Sequence, residues 1–206
     1  MIAVPVPPLE TSRCKRLKAA THREHDGVDQ LVMAAHPFQD RGRYARFLLV
    51  QHHFHGSLLG LYEDPHLNTW LPGLSSLSRF AAVEQDIRDV GQLPPALPTS
   101  VKVDPAHALG WLYCSEGSNL GAAFLFKHTQ RLGLDEGLGA RHLAAHPQGR
   151  ALHWKAFVSA IDGLELDKQQ EAGVIAGAIA AFEAYRTKVT EVFAADLQAA
   201  AHTCEG

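Results

Sequence analysis

Hydrophobic residues recur every three or four positions along most of the chain, a spacing that places them on one face of an α-helix. Loops rich in proline and glycine separate the segments that carry this pattern. No segment shows the strict alternation of a half-buried β-strand. The predicted helices cover about residues 11–33, 43–62, 76–91, 105–132, 149–162 and 168–197. The pattern therefore predicts an all-α helical bundle.

Residues that favour helix starts support two of these boundaries. Thr11 or Ser12 is a suitable N-cap for the first helix, because a hydroxyl can accept a hydrogen bond from a free backbone N–H. Asp104 is a suitable N-cap for the fourth helix, and Pro105 fits its first turn.

We expect one helical domain over residues 11–197, because 206 residues with 46% hydrophobic content suit a single core. The proline-rich loop at 91–100 is short enough to be a surface loop within that domain. Residues 1–10 have no basic region and their apolar run is broken by prolines, which predicts a flexible arm and not a signal peptide. We expect a frayed tail over residues 198–206.

Composition narrows the class of protein. A net charge of −3 and a pI of about 6.5 argue against general attraction to nucleic acid or to an anionic membrane. The three cysteines lie far apart without a CxxC pair, which fits a reduced, cytoplasmic protein. No stretch is long and apolar enough to span a bilayer. The motifs GxSxG, HExxH and the phosphate-binding loop are absent from the sequence.

The helix predicted at 105–132 carries glycine where a helix least favours it. Gly117 and Gly121 are four residues apart and share one face, with Ser118 beside them. Because an interior glycine costs about 1 kcal/mol relative to alanine, something is expected to approach this backbone closely. The spacing fits a second helix packed on the glycines, and it fits a flat ligand equally well.

His25 is the histidine of the first predicted helix that is best placed to bind a ligand. At about 100° per residue it lies at the edge of the buried stripe, whereas His22 points further toward the polar side. Asp29 follows one turn later and could hold the second ring nitrogen. The same positions also fit a half-buried histidine that is simply hydrogen-bonded at a helix border.

The second predicted helix includes a polar cluster, which consists of Gln51, His52, His53 and His55. Four such residues together suggest metal binding. Dinuclear metal sites in helical bundles draw carboxylates and Glu-x-x-His pairs from several helices, and this cluster contains none of those pairs. We therefore do not expect this cluster to bind a metal.

Two longer runs carry a family resemblance. GWLYCSEGSNLGAAFLFKH, at 110–128, and GARHLAAHPQGRALHWKAFV, at 139–158, closely resemble the bacterial branch of the heme oxygenase family. The resemblance extends from about Arg16 to Phe193. The family's LKxxTxxxH pattern appears here as LKAATHREH and places the metal ligand on His25. The resemblance implies a heme oxygenase fold with heme between the first helix and a kinked, glycine-containing distal helix.

The resemblance also implies a reaction in which heme b is both cofactor and substrate. It implies cleavage with O2 and electrons from an external donor, giving biliverdin, carbon monoxide and ferrous iron. The residues that it assigns to heme binding, with polar neighbours of the glycine face, are His25, Lys18, Tyr113, Gly117, Gly121, Asn119 and Tyr185. The residues that it assigns to oxygen positioning and to the distal water network are Gly117, Ser118, Gly121, Gln51, His55, Asp29 and Arg79.

The position of cleavage also follows from the resemblance. Relatives that cleave at the δ and β positions use Asn, Phe and two lysines where this chain has Lys18, Tyr113, Met33 and His128. These differences predict cleavage at the α-meso carbon. Lys18 would bind a heme propionate, since it lies two turns before His25 on nearly the same azimuth of one continuous helix.

The expected partners are heme and a reductase or ferredoxin-type electron donor, and we expect a monomer. Exposed basic residues such as Lys15, Arg16 and Arg131 could dock an acidic donor. Two alternatives stay open from the sequence. The protein could store or sense heme without cleaving it, or it could be a cofactorless helical enzyme of the same broad fold, such as the thiamin-degrading group.

Overall fold

The computed structural model describes residues 10–203, with side chains as far as residue 198. Most of the predicted N-terminal arm, and Cys204 in the predicted tail, lie outside the described residues. Across residues 10–203 the chain forms α-helices and two short 3-10 turns, at Leu74–Leu77 and Arg141–Leu143, with isolated bridges at 135–139 in place of any strand. The α-helices are α1 Arg13–Ala20, α2 His22–Ala34, α3 Arg41–Ser57, α4 Leu59–Glu63, α5 Pro65–Trp70, α6 Phe80–Asp89, α7 Pro105–Gln130, α8 Arg150–Asp162, α9 Lys168–Val192 and α10 Ala194–Thr203.

The predicted helix starts are confirmed at both sites where caps were proposed. The Ser12 side chain accepts a hydrogen bond from the Lys15 N–H. Asp104 accepts from the N–H groups of Ala106 and His107, and Pro105 opens α7. Within residues 10–203, no helix is both long and apolar enough to cross a membrane.

The first predicted helix is two helices, so the prediction of one continuous helix was wrong. The chain leaves helical geometry at Thr21, where φ is −113° and ψ is 12°. The Thr21 hydroxyl donates to the Leu17 carbonyl at 2.8 Å, a local bond that competes with helix propagation. The alignment of Lys18 with His25 on one straight helix therefore does not hold.

The second predicted helix is also divided, between α3 and α4. The Ser57 carbonyl, which would continue the helical hydrogen bonds, accepts instead from the N–H of Val101 at 2.8 Å. Val101 directly follows the proline-rich loop, so a segment distant in sequence ends α3. Leu58 lies at the junction and is fully buried.

The C-terminal helix α10 begins after a break at Phe193 and includes residues that we predicted as a tail. The Phe193 ring is buried and lies 5.0 Å from the Arg46 guanidinium. Asp196 accepts from Arg43 and from Arg46, each at 2.6 Å, which fastens α10 to α3. A frayed state of the last residues stays a prediction.

Arg43 also holds the end of α2. The chain turns at His36, whose φ of 46° lies in the left-handed region. Arg43 donates to the carbonyl of Ala35 at 2.8 Å and to the carbonyl of His36 at 3.1 Å. One guanidinium therefore joins the end of α2 to Asp196 of α10.

The closest packing in the structure is the crossing of α7 and α9, which occurs at glycines that the sequence analysis did not single out. A Cβ on Gly110 would lie 2.2 Å from the Val174 carbonyl oxygen. A Cβ on Gly177 would lie 2.0 Å from the His107 carbonyl oxygen. Since backbone meets backbone here, no side chain fits at either position. Helices α2 and α3 also pack on α9, which makes α9 the central helix of the fold.

We predict that Gly177→Ala destabilises the protein by about 2 kcal/mol or more, because the added methyl group must push two helix backbones apart. Gly27→Ala is the matched control, since an added Cβ meets nothing within 4 Å of that α2 position. The control should stabilise the protein by about 0.5–1 kcal/mol through helix propensity. Denaturant unfolding measures both changes, and equal stabilities for the two variants would contradict the proposed crossing.

Candidate active site

One face of α7 presents bare backbone to solvent. Tyr113, Gly117, Gly121 and Phe124 share this face by helical spacing. A Cβ built on Gly121 meets nothing within 4 Å among the described residues, and the Phe124 side chain is 55% exposed. The glycine-to-helix contact that the spacing allowed is therefore made elsewhere on α7, at Gly110. We call the surface formed by these four residues the glycine face.

Trp154 of α8 borders the glycine face at its N-terminal end. Its ring lies 3.5 Å from the Cβ position of Gly117 and 5.7 Å, centroid to centroid, from the Tyr113 ring. Tyr113 is half-buried there, and burial raises the pKa of its hydroxyl. Ser118 is exposed beside this face and donates to the Ser115 carbonyl at 2.7 Å.

His25 of α2 is accessible and is oriented by carboxylates. Its side chain is 58% exposed, and its ring packs edge-on to Phe182 of α9 at 5.9 Å. Nδ1 lies 3.3 Å from an Asp29 oxygen and 3.8 Å from an Asp26 oxygen. Because a carboxylate at Nδ1 fixes the tautomer, the Nε2 lone pair is available to a ligand. Burial raises the pKa of Asp29, and the positive form of His25 opposes that shift.

Helices α2 and α7 lie on the same central helix and meet at one end. Both pack on α9. Phe38, which follows α2, stacks on His128 of α7 with ring centroids 5.5 Å apart. His128 also contacts Phe124 edge-on at 4.7 Å. Phe38 and His128 thus join α2 to α7 at the end of the glycine face.

Gln51, predicted for the water network, pairs directly inside the bundle with Tyr185, which was predicted to bind heme. Gln51 of α3 donates to the Tyr185 hydroxyl of α9 at 2.6 Å. Burial raises the pKa of Tyr185, which keeps the hydroxyl protonated, and the bond from Gln51 partly opposes the shift. The negative charge of Asp29 also raises the pKa of Tyr185, so this pair lies near the carboxylate that orients His25.

His55 and Arg79 lie deeper in the same interior. His55 is 3% exposed, and burial lowers its pKa to about 3, with the positive charges of His142 and Arg79 adding to the effect. His55 is therefore neutral, and its buried Nδ1 has no hydrogen-bond partner among the described residues. Arg79 donates to the His142 carbonyl at 2.8 Å. Burial lowers the pKa of Arg79, and Glu116 opposes that shift.

The structure corrects the prediction that Asn119 contacts heme. The sequence analysis placed it at the heme surface, but it is 1% exposed and lies on the opposite side of α7 from Gly121. There its backbone carbonyl accepts from Arg150 of α8 at 2.7 Å. We no longer propose Asn119 as a heme contact. Lys18 is exposed on α1, and its role stays a prediction.

Sequence reasoning missed a buried carboxylate on the polar side of α7. Glu116 is 2% exposed and accepts from the Tyr62 hydroxyl at 2.6 Å. Its other oxygen lies 2.7 Å from Nε2 of His153 on α8. Glu116 and Asn119 are three residues apart, as are Arg150 and His153, and this paired spacing was the available signal.

A second missed pair links α6 to the 3-10 turn at 141–143. Asp86 is fully buried, and it accepts from the His142 N–H at 2.9 Å. The second contact of the same carboxylate oxygen is with Nδ1 of His142, at 2.7 Å. This bond holds the ring in one orientation and leaves Nε2 of His142 buried without a hydrogen-bond partner in the part of the chain described.

Comparisons with known proteins all indicate one family. The family model described as Heme oxygenase matches residues 11–191. The chain is 42% identical over 185 residues to Heme oxygenase PigA of Pseudomonas aeruginosa, across 88% of this chain and 93% of that protein. Its structure matches the NO- and CO-bound heme oxygenase from Neisseria meningitidis with a TM-score of 0.85 and 45% identity, across 89% of this chain and 92% of that one.

A more distant structure shares the fold. The heme oxygenase from Leptospira interrogans matches with a TM-score of 0.73 at 19% identity, across 87% of this chain and 99% of that one. The helical fold expected from the sequence is therefore confirmed. Since the family model covers most of the chain and a relative at 42% identity spans nearly all of it, the chain belongs to the heme oxygenase family.

Proposed function

We propose that this protein cleaves heme, with O2 and electrons from an external donor, to biliverdin, carbon monoxide and ferrous iron. Membership of the heme oxygenase family supports the reaction. The observation that carries the proposal is an exposed, carboxylate-oriented imidazole on α2, combined with a bare glycine face on α7. Both helices pack on α9.

The residues present fit heme b, a large, flat and mostly apolar ligand. A planar ring needs an open backbone surface, which Gly121 provides. It also needs apolar side chains that it can cover, and Leu120, Phe124 and Met33 are 42%, 55% and 39% exposed on the same two helices. An imidazole nitrogen for the iron is available on His25.

When bound, heme supplies both the iron that activates O2 and the ring carbon that is oxidised. We infer that His25 would hold this iron through Nε2, with Asp29 fixing the tautomer. Gly117, Ser118 and Gly121 would confine the space above the ring by sterics and backbone dipoles. The glycine face carries no carboxylic acid, so no acidic side chain of this face would donate a proton directly to the bound group.

Proton supply would come from the polar interior. Gln51 and Tyr185 are hydrogen-bonded to each other near Asp29, and His55 is one helical turn from Gln51. We propose that water held by Gln51, His55, Arg79 and Asp29 delivers protons to the reaction.

The alternative role of heme storage or sensing is not favoured by the family comparisons. We place the protein in the cytoplasm, because Cys14 and Cys114 are free cysteines that fit a reducing compartment. A monomeric state stays a prediction. A reductase or ferredoxin-type protein would supply electrons. Arg16 is less available to it than the sequence suggested, since it is hydrogen-bonded to Glu171 at 2.8 Å.

The first test is an absorption titration with hemin, followed over time after a reductant is added. The wild type should form a Soret band that decays as a biliverdin band appears. His25→Ala should lose the coordinated spectrum and slow cleavage by roughly 100-fold or more, because the iron loses its protein ligand. His22→Ala is the matched control, as His22 is an exposed histidine on the same helix. A stable Soret band in the wild type would show a heme carrier and not an enzyme.

Filling the glycine face should block heme without unfolding the protein. Gly121→Leu places its side chain in open space, so stability should change little while heme affinity falls roughly tenfold or more. Ala123→Leu adds the same side chain to an exposed position on the other side of α7 and should bind heme normally. Hemin titration and thermal unfolding of both variants provide the comparison, and equal heme affinities would refute a site on this face.

The proposed α-meso selectivity can be tested from the isomers of biliverdin formed in single turnover. We expect mainly the α isomer from the wild type. Lys18→Ala and Tyr113→Phe should broaden the distribution, because each removes a group proposed to hold a propionate. Lys15→Ala is the control, since that exposed lysine pairs with Glu10. Chromatographic separation of the isomers measures the outcome, and an unchanged α fraction in both variants would argue against propionate anchoring.

A further inference from the structure

A polar cavity of about 190 Å³ lies on the side of α7 opposite the glycine face. It is bounded by α7, α8, the start of α6 and the loop at 141–146. Exposed Ser76 and Ala145 form part of its rim, so the cavity opens to solvent. The side chains in its lining that matter here are Arg79, Glu116, His142, His146 and His153. Heme bound at the glycine face would not use this cavity.

The inner wall of the cavity holds a buried carboxylate and a buried imidazole. Glu116 and His153 have side chains 2% and 7% exposed, and Oε2 lies 2.7 Å from Nε2. The His153 ring stacks on His146 with centroids 4.5 Å apart and an interplanar angle of 18°. An ionisable pair buried in this way is costly unless its members are fully hydrogen-bonded. Glu116 and His153 both line the cavity, which opens to solvent, so water can reach the pair.

Polar groups continue from the cavity toward the proposed water network. Arg79 lines the cavity, and its charge lowers the pKa of both His55 and His142. His142 also lines the cavity, and its Nε2 is buried without a hydrogen-bond partner among the described residues. Since Nδ1 of His142 is held by Asp86, the free Nε2 acts as an acceptor. From His55 the path reaches Gln51 within one turn of α3.

We propose that this cavity is the solvent entrance to the polar interior and that Glu116 and His153 are its proton-exchanging pair. The inference rests on the proposed heme cleavage, which consumes protons on the far side of the same interior. Glu116 and His153 are positioning residues, since they act through water and through Arg79 and His55, without contact with the substrate.

The exchange between the Glu116–His153 pair and water transfers a proton and nothing else. The pair takes one proton from water in the cavity, so that the carboxylate and imidazole together carry one more positive charge. It then returns that proton to water beside Arg79, which restores the original state. No electron moves, and no bond other than those to the proton is formed or broken.

Several charged or titratable groups face the pair from the elements packed around it. Burial lowers the pKa of His146, as do the positive charges of His153 and Arg79. Burial also raises the pKa of Tyr62 far above its usual range, which keeps Tyr62 a hydrogen-bond donor to Glu116. The groups that face the pair are Tyr62 of α4, Arg79 before α6, Arg141 and His146 of the loop at 141–146, and Arg150 of α8.

The first test uses the protein without heme and measures how fast the His153 Nε2–H exchanges with water, by ¹⁵N-edited NMR. Glu116→Gln keeps an oxygen that can accept from Nε2 but removes the proton-binding carboxylate, so exchange should slow by roughly fivefold or more. Glu165→Gln is the matched control, because Glu165 is exposed and far along the chain from the cavity wall. Unchanged exchange in a folded Glu116→Gln variant would overturn the proposal.

The second test uses the heme-loaded protein. Glu116→Gln should leave the Soret spectrum and hemin affinity unchanged, slow heme cleavage by roughly tenfold, and raise the solvent hydrogen isotope effect. Ala145→Trp, at the exposed rim, leaves the pair intact but fills the entrance, and it should slow cleavage in the same way. This second variant keeps the test decisive if Glu116→Gln does not fold.

The outcomes separate this inference from the proposed function. Normal cleavage rates and isotope effects in both Glu116→Gln and Ala145→Trp would overturn the entrance and leave heme cleavage standing. A wild-type protein that consumed no heme would overturn the proposed function. The NMR exchange rates would then still decide whether Glu116 and His153 exchange protons with solvent.

Discussion

The contact of α7 with α9 at Gly110 and Gly177 determines the rest of the structure. Carbonyl oxygens of each helix occupy the space where a side chain of the other would lie, so the two backbones have one available register. Because α2 and α3 pack on α9 as well, the crossing also fixes how the imidazole of His25 stands relative to α7. Helices α2 and α7 do not need to touch along their length to form the site, because each packs on α9.

The crossing fixes how α7 is rotated about its own axis. The two sides of this helix therefore face different chemical environments. One side carries Gly121 and Phe124 and remains open and apolar. The other carries Glu116 and Asn119, both buried among polar groups. Residues five positions apart thus serve different purposes, which is possible because a helix turns by about 100° per residue. A substrate side and a hydrated side can therefore lie within one helix diameter of each other.

Much of the fold followed from the sequence, because hydrophobic period and capping residues act locally. Asp104 and Pro105 marked the start of α7 correctly. The breaks could not be found in this way. At Ser57 the helix ends because Val101, more than forty residues later, takes its carbonyl. The partners of Glu116 were equally hidden, since His153 reaches it through the packing of α8 on α7.

The contacts of Arg43 join segments that are synthesised at different times. Its guanidinium binds the two carbonyls that directly follow α2 and, at the same time, the carboxylate of Asp196. On a ribosome, α2 emerges early, whereas Asp196 emerges only after the central helix α9. The bond from Arg43 to Asp196 therefore forms after the central helix α9 has been made, so α10 fastens the end of α2 only once the other packed helices of the described chain are present.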